Sequence, residues 1–330
     1  MTDRVLVLGS NSFTGAHLVA EALRQGCEVL GVSRSPEPHR VFLPYRWADA
    51  PGRFTFRQLD LNHDLDAILS AVDDFRPDHV INFASQSMVA ESWAHPEHWM
   101  STNVVATVKL HDGLRRRPFL RKYVHVSTPE VYGACQGLVP EHTQYNPSTP
   151  YAVSRAAADL SLMTFHRNYG FPVTFTRAAN VYGPGQQLYR IVPRAVLFFL
   201  TGRTLQLHGG GRSVRSFIHA EDVARATLAV ARDGAPGGIL HLSTTLNVSI
   251  RELVELVARR LGVRFEDHVE IVADRPGKDA AYLLDSARAR RELGWEPRIS
   301  LEEGLDQTIA WVRTHQGELL AQPLDYVHKP

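Results

Sequence analysis

The sequence predicts an α/β protein built on a doubly wound parallel sheet, with a smaller C-terminal lobe. Three observations carry this expectation. Short apolar runs alternate with longer amphipathic stretches through the first half of the chain, the pattern of strands joined by crossover helices. The first run ends in a glycine turn that opens directly into a helix. After Gly183-Pro184-Gly185 the alternation becomes irregular, which places a second lobe there.

Taken in order, residues 5–8 (VLVL) form the first strand, Gly9 ends it, and the amphipathic stretch 15–25 is the first helix. Further strands are predicted at 28–32, 53–59, 79–83, 122–127 and 173–178, and helices at 65–74, 103–115 and 151–169. Strands separated by helices of this length can pair only in parallel through crossovers. Residues 205–217, LQLHGGGRSVRSF, read as a hairpin, and the end of the chain is rich in helical pattern. The expected division is a nucleotide-binding domain over residues 1–180, with segments near 212–245 returning to it, and a lobe formed mainly by 181–330. There is no internal repeat and no low-complexity tract.

Composition excludes several function classes. The chain has 330 residues, 44% hydrophobic and 22% charged, enough for a large core and a second lobe. With 36 basic against 35 acidic residues the net charge is +1, so no summed field gathers nucleic acid or a membrane surface. An anionic ligand must be held by placed residues. The start MTDRVLVLGS lacks the pattern of a signal peptide, and the longest apolar run, 192–200, is about half a membrane span. A soluble cytoplasmic protein is expected. Cys27 and Cys135 cannot make a disulfide framework. No metal site is expected: His95, His98 and His111 read as solvated helix surface, without a ligand spacing to Cys or carboxylate.

The first turn, Gly9-Ser-Asn-Ser-Phe-Thr-Gly15, keeps the outer glycines of a G-x-x-G-x-x-G turn and puts the small Ser12 at the middle one. Such a Rossmann turn feeds a helix whose N-terminal amides can hold a pyrophosphate. A tight βα turn without a ligand is the alternative. About 20 residues on, a site for NAD presents an acidic side chain to the adenosine ribose. Here the second strand ends Ser33-Arg34-Ser35 instead. A guanidinium suits a 2′-phosphate, so NADP is favoured, with NAD possible. Asp60, ending the third strand, is a candidate partner for the adenine amino group.

The ordered set of the glycine turn, NFAS, Ser127-Thr128-Pro129-Glu130-Val131-Tyr132-Gly133, Tyr151-x-x-x-Arg155, N-x-YGPG, R-x-F-x-H-x-x-D, Asp274-Arg275-Pro276-Gly277-Lys278-Asp279 and ELGW resembles the extended short-chain dehydrogenase/reductase family of nucleotide-sugar enzymes. Within it, the segments 127–133 and 274–279 are similar to those of nucleotide-sugar 4,6-dehydratases, chiefly the dTDP-glucose and GDP-mannose types. The resemblance covers nearly the whole chain. It implies C4 oxidation of a nucleoside-diphosphate hexose, loss of water across C5 and C6, and return of the hydride to C6.

The resemblance also implies roles. Tyr151 is the base at the C4 hydroxyl, Thr128 bonds that hydroxyl, and Arg155 stands where the family has lysine. A phenol can serve as base only if a nearby cation draws its pKa down from about 10. Glu130 is the second proton-transfer group, and its presence favours dehydration over simple epimerisation. Gly9, Ser12, Phe13, Gly15, Arg34, Asp60, Leu61, Ala84, Tyr151 and Arg155 are the implied cofactor residues. Ser87, Asn180, Arg190, Arg215 and Arg275 are the implied ligands of the nucleoside-diphosphate sugar. A homodimer is expected, with helices 103–115 and 151–169 at the interface and Ala156, Ala157, Ala158 and Leu160 as its apolar surface.

Two departures stand out. Pro129 replaces the aspartate that serves as general acid in the dTDP-glucose enzymes, and Arg155 cannot readily lose a proton. They keep two alternatives open: an epimerase, or a cofactor-binding protein with a degenerate site.

Overall fold

The structure, a computed structural model, describes residues 3–50, 52–135, 137–273 and 283–329. It begins with β1 (Arg4–Leu8), α1 (Phe13–Arg24), β2 (Glu28–Ser33), β3 (Arg53–Gln58), α2 (Leu65–Phe75) and β4 (His79–Asn82). After α3 (Pro96–Trp99), a π-helical segment, Met100–Ala106, runs on into α4 (Thr107–Leu114). There follow β5 (Lys122–Val126), β6 (Leu138–Val139), α5 (Pro150–Tyr169), β7 (Val173–Ala178), β8 (Asn180–Tyr182) and α6 (Ile191–Leu200). Then come β9 (Leu205–His208), β10 (Val214–His219), α7 (Ala220–Asp233), β11 (Ile239–Leu242), β12 (Asn247–Ser249), α8 (Ile250–Leu261), β13 (Val269–Val272) and β14 (Leu283–Leu284).

Seven strands pair in parallel in the order β11-β7-β5-β4-β1-β2-β3. The strand order reverses between β1 and β4, and ligands of doubly wound sheets bind outside the carboxyl ends at that switch point. The sequence explains the layers. Val5, Leu6, Val7 and Leu8 of β1 are almost wholly buried, a continuous apolar run because helices cover both faces. Edge strand β3 alternates instead, and turns Arg53, Thr55 and Arg57 to water. Helices α1 and α7 bury Ala16, Ala22, Ala224 and Ala226 in one cluster, small residues that allow close helix packing.

Helix α5 is fixed at both ends. The Thr149 hydroxyl accepts from the Ala152 amide, Pro150 occupies the first turn, and Gly170 closes the helix in the left-handed region. The second lobe has its own core, in which Val192, Val196, Leu253, Val257, Leu305 and Ile309 pack together. Of the segments expected to return to the main sheet, α7 covers it and β11 joins it, whereas β10 pairs with β8 and β12.

Three local expectations are corrected. Residues 205–217 are not a hairpin: β9 pairs in parallel with β13, and β10 pairs with β8 and β12. Gly209, Gly210 and Gly211 all have positive φ, and this left-handed run steers the two strands into different sheets. His111 is fully buried, its ring edge-on to Phe165 at 4.3 Å, because α4 packs against α5 there. Burial pushes its pKa down to about 4 and keeps it neutral. Ala156 and Ala158 face the chain's own interior, and the exposed apolar side chains of this helical face are Val105, Val153 and Leu160.

Candidate active site

The carboxyl end of β5 leads into Ser127 and Thr128. Thr128 caps a tight turn, Pro129–Tyr132, by accepting from the Glu130 amide at 3.3 Å, and Pro129 pre-sets the first residue of that turn. Glu130 is thereby presented from the first turn of a short helix. Tyr151 lies in the first turn of α5, and Arg155 follows one turn later, both buried. Thr128, Glu130, Tyr151 and Arg155 line one cavity of about 1190 Å³, together with Ser12, Phe13, Ser87, Asn180 and Arg190. Burial pushes the Tyr151 phenol up, and the charge of Glu130 adds to this; Arg155, the Thr128 hydroxyl and Arg190 pull it back down.

Arg155 is held from below. Its Nη2 donates to the Val126 carbonyl and lies 3.2 Å from His125 Nε2. His125 is fully buried, and desolvation followed by the Arg155 charge pushes its pKa well below the usual value, so the imidazole is a neutral acceptor. Asp159, one turn beyond Arg155, accepts from Ser127 Oγ and Arg177 Nη2, both at 2.8 Å, and its other oxygen is 3.5 Å from His125. Arg177 continues inward to the hydroxyls of Tyr132 and Tyr145. A connected polar network therefore underlies this wall of the cavity.

On the other side of the switch point lies a cavity of about 450 Å³, lined by Gly9, Ser12, Arg34, Asp60, Leu61 and Ala84, with Leu8, Val32 and Ile68 as apolar wall. Gly9 has φ +79°, and a Cβ there would sit 2.8 Å from the Ala84 amide nitrogen. A Cβ on Gly15 would collide with the Gly9 carbonyl, so only glycine closes this turn. Gly15 is buried beneath the turn and donates to Ser12 Oγ at 3.2 Å. With no acidic residue in the first turn of α1, nothing there repels a pyrophosphate, and the cavity has the size and apolar walls of an adenosine site. The residues fit a dinucleotide.

The GDP-mannose 4,6-dehydratase family matches residues 6–308. The chain belongs to the nucleotide-sugar 4,6-dehydratases of the extended short-chain dehydrogenase/reductase family. It is 34% identical to a dTDP-glucose 4,6-dehydratase of Streptomyces antibioticus, over 94% of this chain and 93% of that one. It is likewise 33% identical to the Neisseria gonorrhoeae dTDP-glucose 4,6-dehydratase, over 93% of this chain and 94% of the other. The dTDP-glucose 4,6-dehydratase DesIV of Streptomyces venezuelae, solved with NAD and TYD bound, superposes with a TM-score of 0.88 at 34% identity, covering 96% and 98% of the two chains. A UDP-glucose 4-epimerase of Thermotoga maritima, solved with UDP-glucose, superposes with a TM-score of 0.85 at 27% identity, covering 95% and 99%.

In this dehydratase the sugar-nucleotide end of the cavity is less uniform. Asn180 leads β8 and donates to the Ser216 carbonyl at 3.4 Å, and Arg190, the exposed cap of α6, lies over the Tyr189 ring. Ser87 is exposed at the rim. Arg215 is buried on β10, donates to the Val214 carbonyl and lies outside the lining of both cavities. Arg275 lies outside the described residues. Among those described, no helix is long and apolar enough to cross a membrane.

Several residues escaped the sequence reading. His125 and Asp159 belong to a buried strand and a helix interior, where only the i, i+4 spacing of Arg155 and Asp159 offered a signal. Glu91 lines the larger cavity with one carboxylate oxygen buried and unpartnered. Glu37 reaches the adenosine-sized cavity, although the sequence places no carboxylate at the end of β2; its carboxylate is bonded by Arg46 and by the Tyr45 hydroxyl. Lys329 lines the same cavity from far along the chain. His95, Glu97 and His98 bring ligand-type atoms within 4.8 Å of one another, a grouping the sequence spacing concealed. The two imidazoles are stacked, which sets their ring-plane lone pairs side by side rather than converging on an ion.

Proposed function

We propose that this dehydratase converts a nucleoside-diphosphate hexose into its 4-keto-6-deoxy derivative, with Thr128, Glu130, Tyr151 and Arg155 as the working set. One observation carries the assignment of roles: Glu130 and Tyr151 line a single cavity, and each lies close enough for the carboxylate charge to bear on the phenol. Tyr151, as phenolate, takes the proton of the C4 hydroxyl while Thr128 holds that oxygen. A nicotinamide held in the cleft would supply the hydride chemistry, uptake from C4 and return to C6. Glu130 removes the C5 proton, which the new C4 carbonyl has acidified, and passes it to the departing C6 hydroxyl, so that water leaves and a C5–C6 double bond forms. Pro129 has no proton to give, and Glu130 therefore serves both transfers. Tyr151 then releases the proton it gained to solvent and C5 takes one from solvent as C6 is reduced, so the phenolate is restored and the cycle neither consumes nor produces a net proton. Arg155 needs only to hold charge beside Tyr151, because no net proton leaves the cycle.

The cofactor is NADP in this reading, supported by Arg34 beside the adenosine-sized cavity and by the engagement of Glu37 elsewhere. The diphosphate falls to Asn180 and Arg190, which line the larger cavity, and to Arg275, whereas the position of Arg215 outside that lining does not support its part. We place the lobe boundary near residue 180, the working form as a homodimer joined through the face carrying Val105, Val153 and Leu160, and the protein in the cytoplasm. Epimerisation is the second reading, favoured by the superposition on the Thermotoga maritima epimerase.

Incubation with dTDP-glucose, GDP-mannose, UDP-GlcNAc and CDP-glucose, followed by mass spectrometry, separates the two. A product lacking one water is expected from one of them, and an isomer of unchanged mass overturns dehydration. Glu130→Gln is expected to keep C4 oxidation but to lose about 10² in water release and in C5 exchange with deuterium.

A further inference from the structure

The segment 324–329 crosses the mouth of the cleft and touches both sides of it. On the second lobe, Arg194 donates to the Leu324 carbonyl and, at 2.6 Å, to Asp325. Tyr326 packs edge-on against Tyr189, 5.4 Å between centroids, and with Asp325 lines the larger cavity. On the dinucleotide side, His328 stacks on Trp99 at 5.2 Å and is 2.9 Å from His98 Nδ1 through its Nε2. The Lys329 carbonyl accepts from Gln86 Nε2 at 2.6 Å and Arg34 Nη2 at 3.1 Å, while its ammonium donates to Ser35 Oγ at 3.1 Å.

These contacts set two cationic side chains, Arg34 and Lys329, at the end of β2, where proteins of this fold read the adenosine ribose. Both line the adenosine-sized cavity with Ser33 and Ser35. The carboxylate of Glu37 there is already neutralised by Arg46. An extended chain bonded on both rims also obstructs departure of anything seated beneath it.

We propose that residues 324–329 form a strap over the cofactor cleft and that Lys329 is a specificity-determining residue, the second cation for a ribose 2′-phosphate. This rests on the assignment of NADP made above. A phosphomonoester carries close to two charges near neutral pH, so a second cation beside Arg34 strengthens its hold selectively, whereas a free ribose hydroxyl gains little. The strap supplies the complementary effect, slow release of either cofactor.

The test is calorimetric titration of the cofactor-stripped protein with NADP⁺ and NAD⁺. Lys329→Ala is expected to lower the ratio of NADP⁺ to NAD⁺ affinity roughly tenfold, and Lys329→Arg to preserve it. A ratio within twofold of wild type in Lys329→Ala overturns the role of Lys329. If the wild-type protein itself prefers NAD⁺, the NADP assignment fails, and Lys329 is still judged by whether its removal moves the ratio. Tyr326→Ala is expected to speed dissociation of both cofactors by a similar factor, read by stopped-flow fluorescence, with the ratio unchanged. Unaltered dissociation rates in that variant overturn the strap.

Discussion

Arg155 and Arg34 both serve the cleft, and their surroundings differ in kind. Arg155 is 2% exposed and rests on a buried network of His125, Asp159, Ser127 and Arg177. Arg34 is half-exposed, in a loop, and the partner it shares with Gln86 is a backbone carbonyl of the strap. The end carrying Tyr151 is thus fixed by a buried hydrogen-bonded network in a low-dielectric setting, in which His125 Nδ1, Asp159 Oδ1 and Arg177 Nε have no hydrogen-bond partner among the described residues. The adenosine end is assembled from segments that can separate. A site that must hold a phenol ready for deprotonation needs the first construction, and one through which a large anion enters and leaves needs the second.

The comparison breaks first, and most strongly, at Asp159. Asp159→Asn leaves the Arg177 guanidinium buried without its counter-charge, and a loss of about 3–5 kcal/mol of stability is expected in urea unfolding. A loss below about 1 kcal/mol would show that the network is incidental to the wall above it. Next comes Arg155. Removing its charge takes away an influence that lowers the Tyr151 pKa, so Arg155→Met is expected to lose roughly 10² in kcat with the ascending, acid-side limb of its pH profile moved to higher pH, while Arg155→Lys stays active. An unshifted profile in the methionine variant would reduce Arg155 to a packing residue.

The smallest effect lies at the exposed end. Desolvation, then His98 and His95, with a lesser part from Arg34, lower the pKa of His328, and Glu91 opposes them; Glu97 and the Tyr326 hydroxyl also face this cluster. A histidine whose pKa is depressed when docked favours docking above its free value near 6.5 and opposes it as pH falls below. Cofactor dissociation is therefore expected to quicken severalfold between pH 7.5 and 5.5, and His328→Asn to flatten that dependence. The other end should not follow, since burial keeps His125 neutral throughout this range.

How much could be read beforehand follows the same division. The strands, crossovers and Tyr151–Arg155 spacing were legible because local periodicity and short motifs encode them. The hairpin expected at 205–217 failed because three consecutive left-handed glycines choose partners by sheet geometry, which periodicity does not carry. His111 read as surface because a lone polar residue on a helix gives no hint that Phe165 and Phe171 will enclose it. The strap was invisible for a different reason. Residues 324–329 have neither a repeat nor a motif, and the contact of Lys329 with Ser35 spans 294 positions.

That long reach has an evolutionary side. Residue 329 is exposed and belongs to none of the hydrophobic clusters, so its replacement disturbs no packing. On the proposal above, cofactor choice, usually written into a glycine-rich turn and strand end that the fold cannot spare, has a second dial at one exposed residue. A lineage moving between nicotinamide pools could retune this enzyme at one codon, with the sheet, the network and the chemistry left as they were.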